Sequence, residues 1–243
     1  MYLPREYSLY EMNTKNIKGN FLGAPIVLTG HYGSGKTEIA VNLALLLSRA
    51  ARQVAIVDLD IANPYFRSRE AVKRLSEEGV RLVSNAYDCD ITADLPALSA
   101  SVKSYIGDSN TNLVIDVGGN DSGARILNQY RDELKGSNAA FYIVVNVFRP
   151  ETDNADKIIE MINSIEAETG TPIEGLINNS NMLRETKPIH VISGYRILKT
   201  VSERTGIPVV ANFAEEKFAD SLEDCCEGFI PISLYMRPRW LDS

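Results

Sequence analysis

The chain has 243 residues, 44% of them hydrophobic and 23% charged, with a net charge of −7 and a pI near 5.0. That length builds one large α/β domain or two small ones, with a core that needs no covalent staples. The acidic balance speaks against a surface made for DNA or for an anionic membrane. Three cysteines, Cys89, Cys225 and Cys226, are too few and too irregularly placed for a disulfide framework, and they fit a reducing cytosol. The polar start lacks the apolar core of a signal peptide. Apolar runs such as Ala139–Val145 fall far short of the roughly 20 residues of a membrane-spanning helix. The expected location is cytoplasmic.

In chain order, residues 1–23 read as an N-terminal arm, whose Tyr2, Tyr7 and Tyr10 point to packing on the body. From Pro25 the chain alternates. Short apolar runs predict strands at Ile26–Thr29, Val54–Val57, Arg81–Val83, Leu113–Ile115, Phe141–Val147, Gly175–Asn178 and Val209–Val210. Between them, helical spacing predicts Lys36–Ala51, with Ile39, Leu43, Leu46 and Ala50 on one face, and Asp153–Thr169, with Ile158, Ile162 and Ile165. Further helices are expected at Arg67–Glu78, Leu95–Tyr105, Gly123–Leu134, Pro188–Thr205 and Glu216–Asp220. Alternating strands and helices, with strands apolar throughout, predict a three-layer α/β fold: a mostly parallel central sheet covered by helices on both faces. Residues 24–228 form the expected domain. Residues 229–243 form a C-terminal tail in which Pro231 and Pro238 forbid a long helix.

The segment Gly30-His-Tyr-Gly-Ser-Gly-Lys-Thr37 satisfies G-x-x-x-x-G-K-[ST] between a strand and an amphipathic helix. Its glycines permit a tight loop whose backbone N–H groups converge on phosphate oxygens at a helix N-terminus. Lys36 supplies charge for the β- and γ-phosphates, and the Thr37 hydroxyl suits Mg²⁺. The expected nucleotide-binding set is therefore Gly30, His31, Tyr32, Gly33, Ser34, Gly35, Lys36 and Thr37, with Glu38 following. Two acidic strand ends accompany it: Val54-Ala-Ile-Val-Asp-Leu-Asp60, with Asp58 and Asp60, and Leu113-Val-Ile-Asp-Val-Gly-Gly119, with Asp116. Acids at the carboxyl ends of parallel strands stand where such sheets bind ligands, and they can hold Mg²⁺ or orient a water. Gly118 and Gly119 allow the backbone to approach a γ-phosphate.

With its run Val-Asp-Leu-Asp-Ile-Ala-Asn63, the chain resembles the ParA/MinD/CobQ-type P-loop ATPases, the broad group that includes the nickel-insertion ATPase CooC and the nitrogenase iron protein. Asn146-Val-Phe-Arg-Pro-Glu-Thr-Asp-Asn-Ala-Asp156, Leu176-Ile-Asn-Asn-Ser180 and Ile207-Pro-Val-Val-Ala-Asn212 extend the resemblance over about 25–216. The resemblance implies that Lys36 and Thr37 bind phosphate and metal, and that Asp60 positions the hydrolytic water. It further implies that Asp116 joins the Mg²⁺ shell and that Asn178 or Asn179 meets the base. It also implies a nucleotide-dependent homodimer. One departure stands out: where the family's deviant loop carries a signature lysine, this chain has His31, followed by Tyr32. Arg67 and Arg69 are the sequence's candidates for a substitute cation. No Asn-Lys-x-Asp guanine reader occurs, which favours ATP over GTP.

Cys225 and Cys226 are adjacent and read as inert thiols before metal ligands. His190 reads as a helix-start residue. Trp240, with Arg237 and Arg239, reads as packing on the domain before docking a partner. The functional expectation is a Mg²⁺-dependent ATPase switch acting on a protein client, such as a metalloenzyme under assembly. A small-molecule kinase or ligase, with Asn63-Pro-Tyr-Phe-Arg-Ser-Arg69 as acceptor pocket, and a non-catalytic nucleotide sensor are the alternatives.

Overall fold

A computed structural model describes residues 20–50, 53–59, 69–83, 95–118 and 121–236. Eight strands form one sheet: β1 (Ile26–Thr29), β2 (Val54–Asp58), β3 (Val80–Val83), β4 (Asn112–Asp116), β5 (Ala140–Val145), β6 (Gly175–Asn178), β7 (Val209–Glu215) and β8 (Phe229–Ile232). Their order is β3-β2-β4-β1-β5-β6-β7-β8 and every pairing is parallel. The α-helices among the described residues are α1 (Lys36–Ala50), α2 (Arg69–Glu77), α3 (Leu95–Ile106), α4 (Asp121–Asn128), α5 (Arg131–Gly136), α6 (Ala155–Thr169), α7 (Pro188–Thr205) and the short α8 (Ala219–Leu222), with 3-10 turns at Leu183–Glu185 and Glu216–Phe218.

Successive strand residues face opposite sides of the sheet, so the strands feed two cores. Ile26, Leu28, Tyr142 and Val144 join Ile39 and Leu43 of α1 on one face. Val27, Phe141, Ile143 and Val145 meet Ile158, Ile162 and Leu198 of α6 and α7 on the other. Each fully buried Leu, Ile or Phe contributes roughly 1.5–3 kcal/mol. Because both faces are covered, the strands are apolar without alternation, which is what made them readable in sequence.

Connections from β1 lead by α1 to β2 on one side. After β4 they lead to β5 on the other. The strand order therefore reverses around β1, and a crevice opens at its carboxyl end.

Three features depart from the expected pattern. The predicted helix over Gly123–Leu134 is two helices, α4 and α5, parted at Gln129–Tyr130. Helix α1 buries more than one stripe: Ala40, Val41, Ala44, Leu45 and Leu47 are buried beside Ile39 and Leu43, because α1 lies across the middle of the sheet and beside α2. Phe229–Ile232, the start of the expected tail, forms the strand β8 against β7. Its Pro231 sits at the edge of the sheet, where a missing N–H costs no ladder bond. At the other end Phe21 is buried edge-on to Tyr142, with ring centroids 5.3 Å apart, and the Tyr142 hydroxyl donates to Asn20 O at 2.6 Å. Burial, with the charge of Glu174 behind it, pushes that phenol up to about 12. The rest of the expected arm, the region 237–243 with Arg237, Arg239 and Trp240, and Cys89 lie outside the described residues.

Candidate functional site

The loop between β1 and α1 is shaped by its own backbone and by two neighbours. Gly30 has φ +136°, and a Cβ there would strike the carbonyl oxygen of Val144 in β5. Ser34 N donates to His31 O at 3.2 Å and Ile39 N to Gly35 O at 3.1 Å, closing the loop and opening the helix. Lys36 is buried and its Nζ donates to His31 O at 3.1 Å. From the end of β6, Asn179 Nδ2 donates to Ser34 O at 2.8 Å. From the loop after β5, Arg149 Nε donates to Gly33 O at 3.0 Å. His31 Nδ1 lies 3.1 Å from Tyr32 O and 3.7 Å from the Glu151 carboxylate. Tyr32 is 59% exposed at the rim. Ser34 Oγ is buried with no hydrogen-bond partner among the described residues, an orphan hydroxyl of the kind a bound oxyanion satisfies.

The loop lines a cleft of about 630 Å³, within the size of small-molecule sites. Its lining includes Lys36, Thr37, Asn179, Asn181, Phe213, Glu215, Leu234 and Met236. Part of the lining, Leu234 and Met236, comes from the segment after β8. There Asn42 of α1 donates to Ser233 O at 2.8 Å and accepts from Ser233 N at 3.0 Å. The Glu38 carboxylate accepts from Tyr235 N at 2.7 Å and Met236 N at 3.1 Å. Burial raises the Glu38 pKa, against the lowering effect of those two N–H groups and of Asn42. Glu38 thus lines the cleft, while its charged end grips the chain after β8.

Of the two asparagines expected at the base, the structure brings Asn179 to the cleft and turns Asn178 away. Asn178 is wholly buried, donating to Val191 O at 2.9 Å and to Asn212 Oδ1 at 2.8 Å and accepting from Ser180 N. A strand's alternation sends consecutive residues to opposite sides, so only one of the pair can face the ligand edge.

Asp58 and Asp116 stand opposite each other in the β2–β4 register, and Asp116 also pairs with Leu28 of β1. Asp116 is wholly buried at the strand edge beside the loop. Asp60, Gly119, Arg67 and the side chain of Arg69 lie outside the described residues. Among the described residues no group of three or more His, Cys, Asp or Glu side chains converges on a metal position. Mg²⁺ held mainly by phosphates asks for less: a hydroxyl such as that of Thr37 and one or two carboxylates. Cys225 is exposed and Cys226 buried, and both are free thiols. His190 Nδ1 accepts from Lys187 N at 3.2 Å and its ring meets Phe148 edge-on, a helix-start role.

Arg149, Glu215, Leu234 and Met236 were not singled out in sequence. Arg149 carried a signal: it is a basic residue just past a strand that borders the loop strand. Leu234 and Met236 stand far from the loop in sequence and give none.

The sequence profile described as the CobQ/CobB/MinD/ParA nucleotide binding domain matches residues 26–208. A comparison with curated proteins finds no match. Among solved structures, the chain is similar to chloroplast FtsY from Physcomitrella patens (15% identity, 84% of this chain, 64% of that one, TM-score 0.52). It is similar to the signal recognition particle 54 kDa protein from Aeropyrum pernix, determined with GDP (20%, 83% and 45%, 0.51). It is also similar to the signal recognition particle receptor FtsY from Elizabethkingia anophelis (16%, 84% and 61%, 0.50). At these identities the likeness is one of fold. The chain spans less than two thirds of each of these proteins.

Proposed function

Because this chain belongs to the CobQ/CobB/MinD/ParA nucleotide-binding domain family, we propose that it is a Mg²⁺-dependent ATPase that works as a nucleotide switch on a protein client in the cytoplasm. The observation that carries the reading is the loop Gly30–Thr37 opening, with Thr37 and the buried Lys36, into a cleft of about 630 Å³. In this reading the loop N–H groups and Lys36 bind the phosphates, and Asp60 orients the attacking water. Asn179, Phe213 and Met236 hold the base and sugar. Mg²⁺, when held by Thr37 with Asp60 or Asp116, neutralises phosphate charge. The water oxygen bonds to the γ-phosphorus as the bond to the β–γ bridging oxygen breaks. The products are ADP and phosphate, and the water's proton is released. Loss of the γ-phosphate then frees the segments after Asp60 and Asp116, the change a client senses. Assembly of a metalloenzyme is the client role the resemblance favours.

Calorimetry with ATP and Mg²⁺ tests the reading: wild-type protein binds and slowly hydrolyses ATP, and Lys36→Ala abolishes both. No binding and no turnover by wild type overturns it. One observation favours a second reading. Glu215 places a carboxylate in the cleft, the acceptor that guanine's N1–H and amino group require, although Lys217 holds it at 2.8 Å. If GTP competes better than ATP, and Glu215→Gln reverses the order, the nucleotide is GTP.

A further inference from the structure

We propose that Arg149 is a phosphate-binding cation supplied by the same chain that carries the loop, an inference that rests on the triphosphate-binding reading above. A nucleoside triphosphate brings several negative charges. Among the described residues lining the cleft, the permanent cations are Lys36 and Arg149.

The turn that presents Arg149 is rigid. Asn146, buried at the end of β5, accepts through its carbonyl from Arg149 N at 3.2 Å and from Thr152 Oγ1 at 2.7 Å. Its Oδ1 accepts from Phe148 N at 3.1 Å and Asn181 N at 3.2 Å. Thr152 N closes the turn on Arg149 O at 3.0 Å. From this base the side chain crosses to the loop, where Nε bonds Gly33 O. Gly33 makes room for it: a Cβ there would lie 3.3 Å from Nε and 3.4 Å from Cζ.

That contact uses one of the five guanidinium N–H donors and leaves the two Nη groups, four N–H bonds in a planar fork. Among the described residues no carboxylate pairs with Arg149; Glu151, two residues on, turns to His31 instead. A guanidinium bonded to the loop through Nε, with no carboxylate partner among the described residues, is complementary to phosphate oxygens. Because Arg149 reaches the loop of its own chain, no second subunit is needed to bring this charge.

The test uses the full chain and displacement of a fluorescent ATP analogue by ATP, ADP and adenosine, with Mg²⁺, at concentrations where sedimentation shows monomer. Arg149→Met keeps the aliphatic stem and removes the charge; Arg149→Lys restores charge without the fork. The expected result is a loss of about 10- to 100-fold in ATP affinity for Arg149→Met. Adenosine affinity stays within about twofold of wild type, and Arg149→Lys lies between. A parallel loss for adenosine shows a merely structural strut and overturns the proposal. Wild-type ATP affinity in Arg149→Met overturns it while leaving triphosphate binding intact. A deficit seen only when the protein dimerises overturns the same-chain supply. Failure of wild type to bind any triphosphate overturns both readings.

Discussion

Asn179 Nδ2 donates to Ser34 O at 2.8 Å, tying the end of β6 to the phosphate loop two strands away. The same amide explains Gly35, since a Cβ at that position would strike Asn179 Nδ2. Asn179→Ala leaves a buried carbonyl without its donor and costs about 1–2 kcal/mol. The expected thermal midpoint falls by about 2–6 °C, and nucleotide affinity drops because the loop is no longer held in shape. An unchanged midpoint and affinity, by calorimetry, would remove this tie from the account.

At Gly30 the backbone leaves no room for a side chain. It combines φ +136° with direct approach to Val144 O. Gly30→Ala must bend both the loop and β5, at a cost of about 2–4 kcal/mol. Urea unfolding is expected to show a lower midpoint with an unchanged slope. A stability within 0.5 kcal/mol (roughly the noise of a surface substitution) contradicts the described geometry.

Glu38 predicts a pH effect whose sign is fixed. Burial raises its pKa in the folded state above the ordinary 4.5. The folded protein therefore holds the proton more tightly than the unfolded chain in the window that opens at about that pH. Stability contributed by Glu38 is present below the unfolded value and is lost as pH rises through the folded one. Glu38→Gln removes this dependence. It also sets an amide N–H₂ against one of the Tyr235 and Met236 N–H donors. The comparison to make is thermal midpoint against pH for the two proteins, with protease cleavage after β8 as a second readout. Parallel pH profiles would sink the prediction.

Cys225 and Cys226 differ although they adjoin. Cys226 is 1% exposed and burial, with Cys225 as its neighbour, pushes its thiol up to about 11; Cys225 is exposed. Alkylation of folded protein near neutral pH is expected to label Cys225 well before Cys226, and both equally in denaturant. Peptide mass mapping reads the order directly.

What could be read from sequence follows from where the information sits. Seven strands and the phosphate loop lie in contiguous stretches: Ile26–Thr29 runs into Gly30–Thr37, and doubly covered strands announce themselves by unbroken apolar character. β8 did not, because four residues containing Pro231 satisfy no strand pattern until β7 is there to receive them. The part of the cleft lined by Leu234 and Met236 was unreadable for the same reason, since Glu38 and Asn42 of α1, which bond that segment, stand far from it in sequence. Asn178 and Asn179 could not be told apart until β6 had a definite register. The central pair Asp58 and Asp116 was legible as two strand ends, and only the β2–β4 register sets them side by side.

The grip of Glu38 on Tyr235 and Met236 joins residues 197 and 198 positions apart. During synthesis the loop emerges early, but part of its cleft's lining is made of chain that leaves the ribosome much later. A nascent chain folded as far as β7 therefore has the loop but lacks the Ile232, Leu234 and Met236 lining of its cleft. Closure of so long a loop is also a slow, non-local step. Completion of the cleft is thus a late event in the folding of the chain.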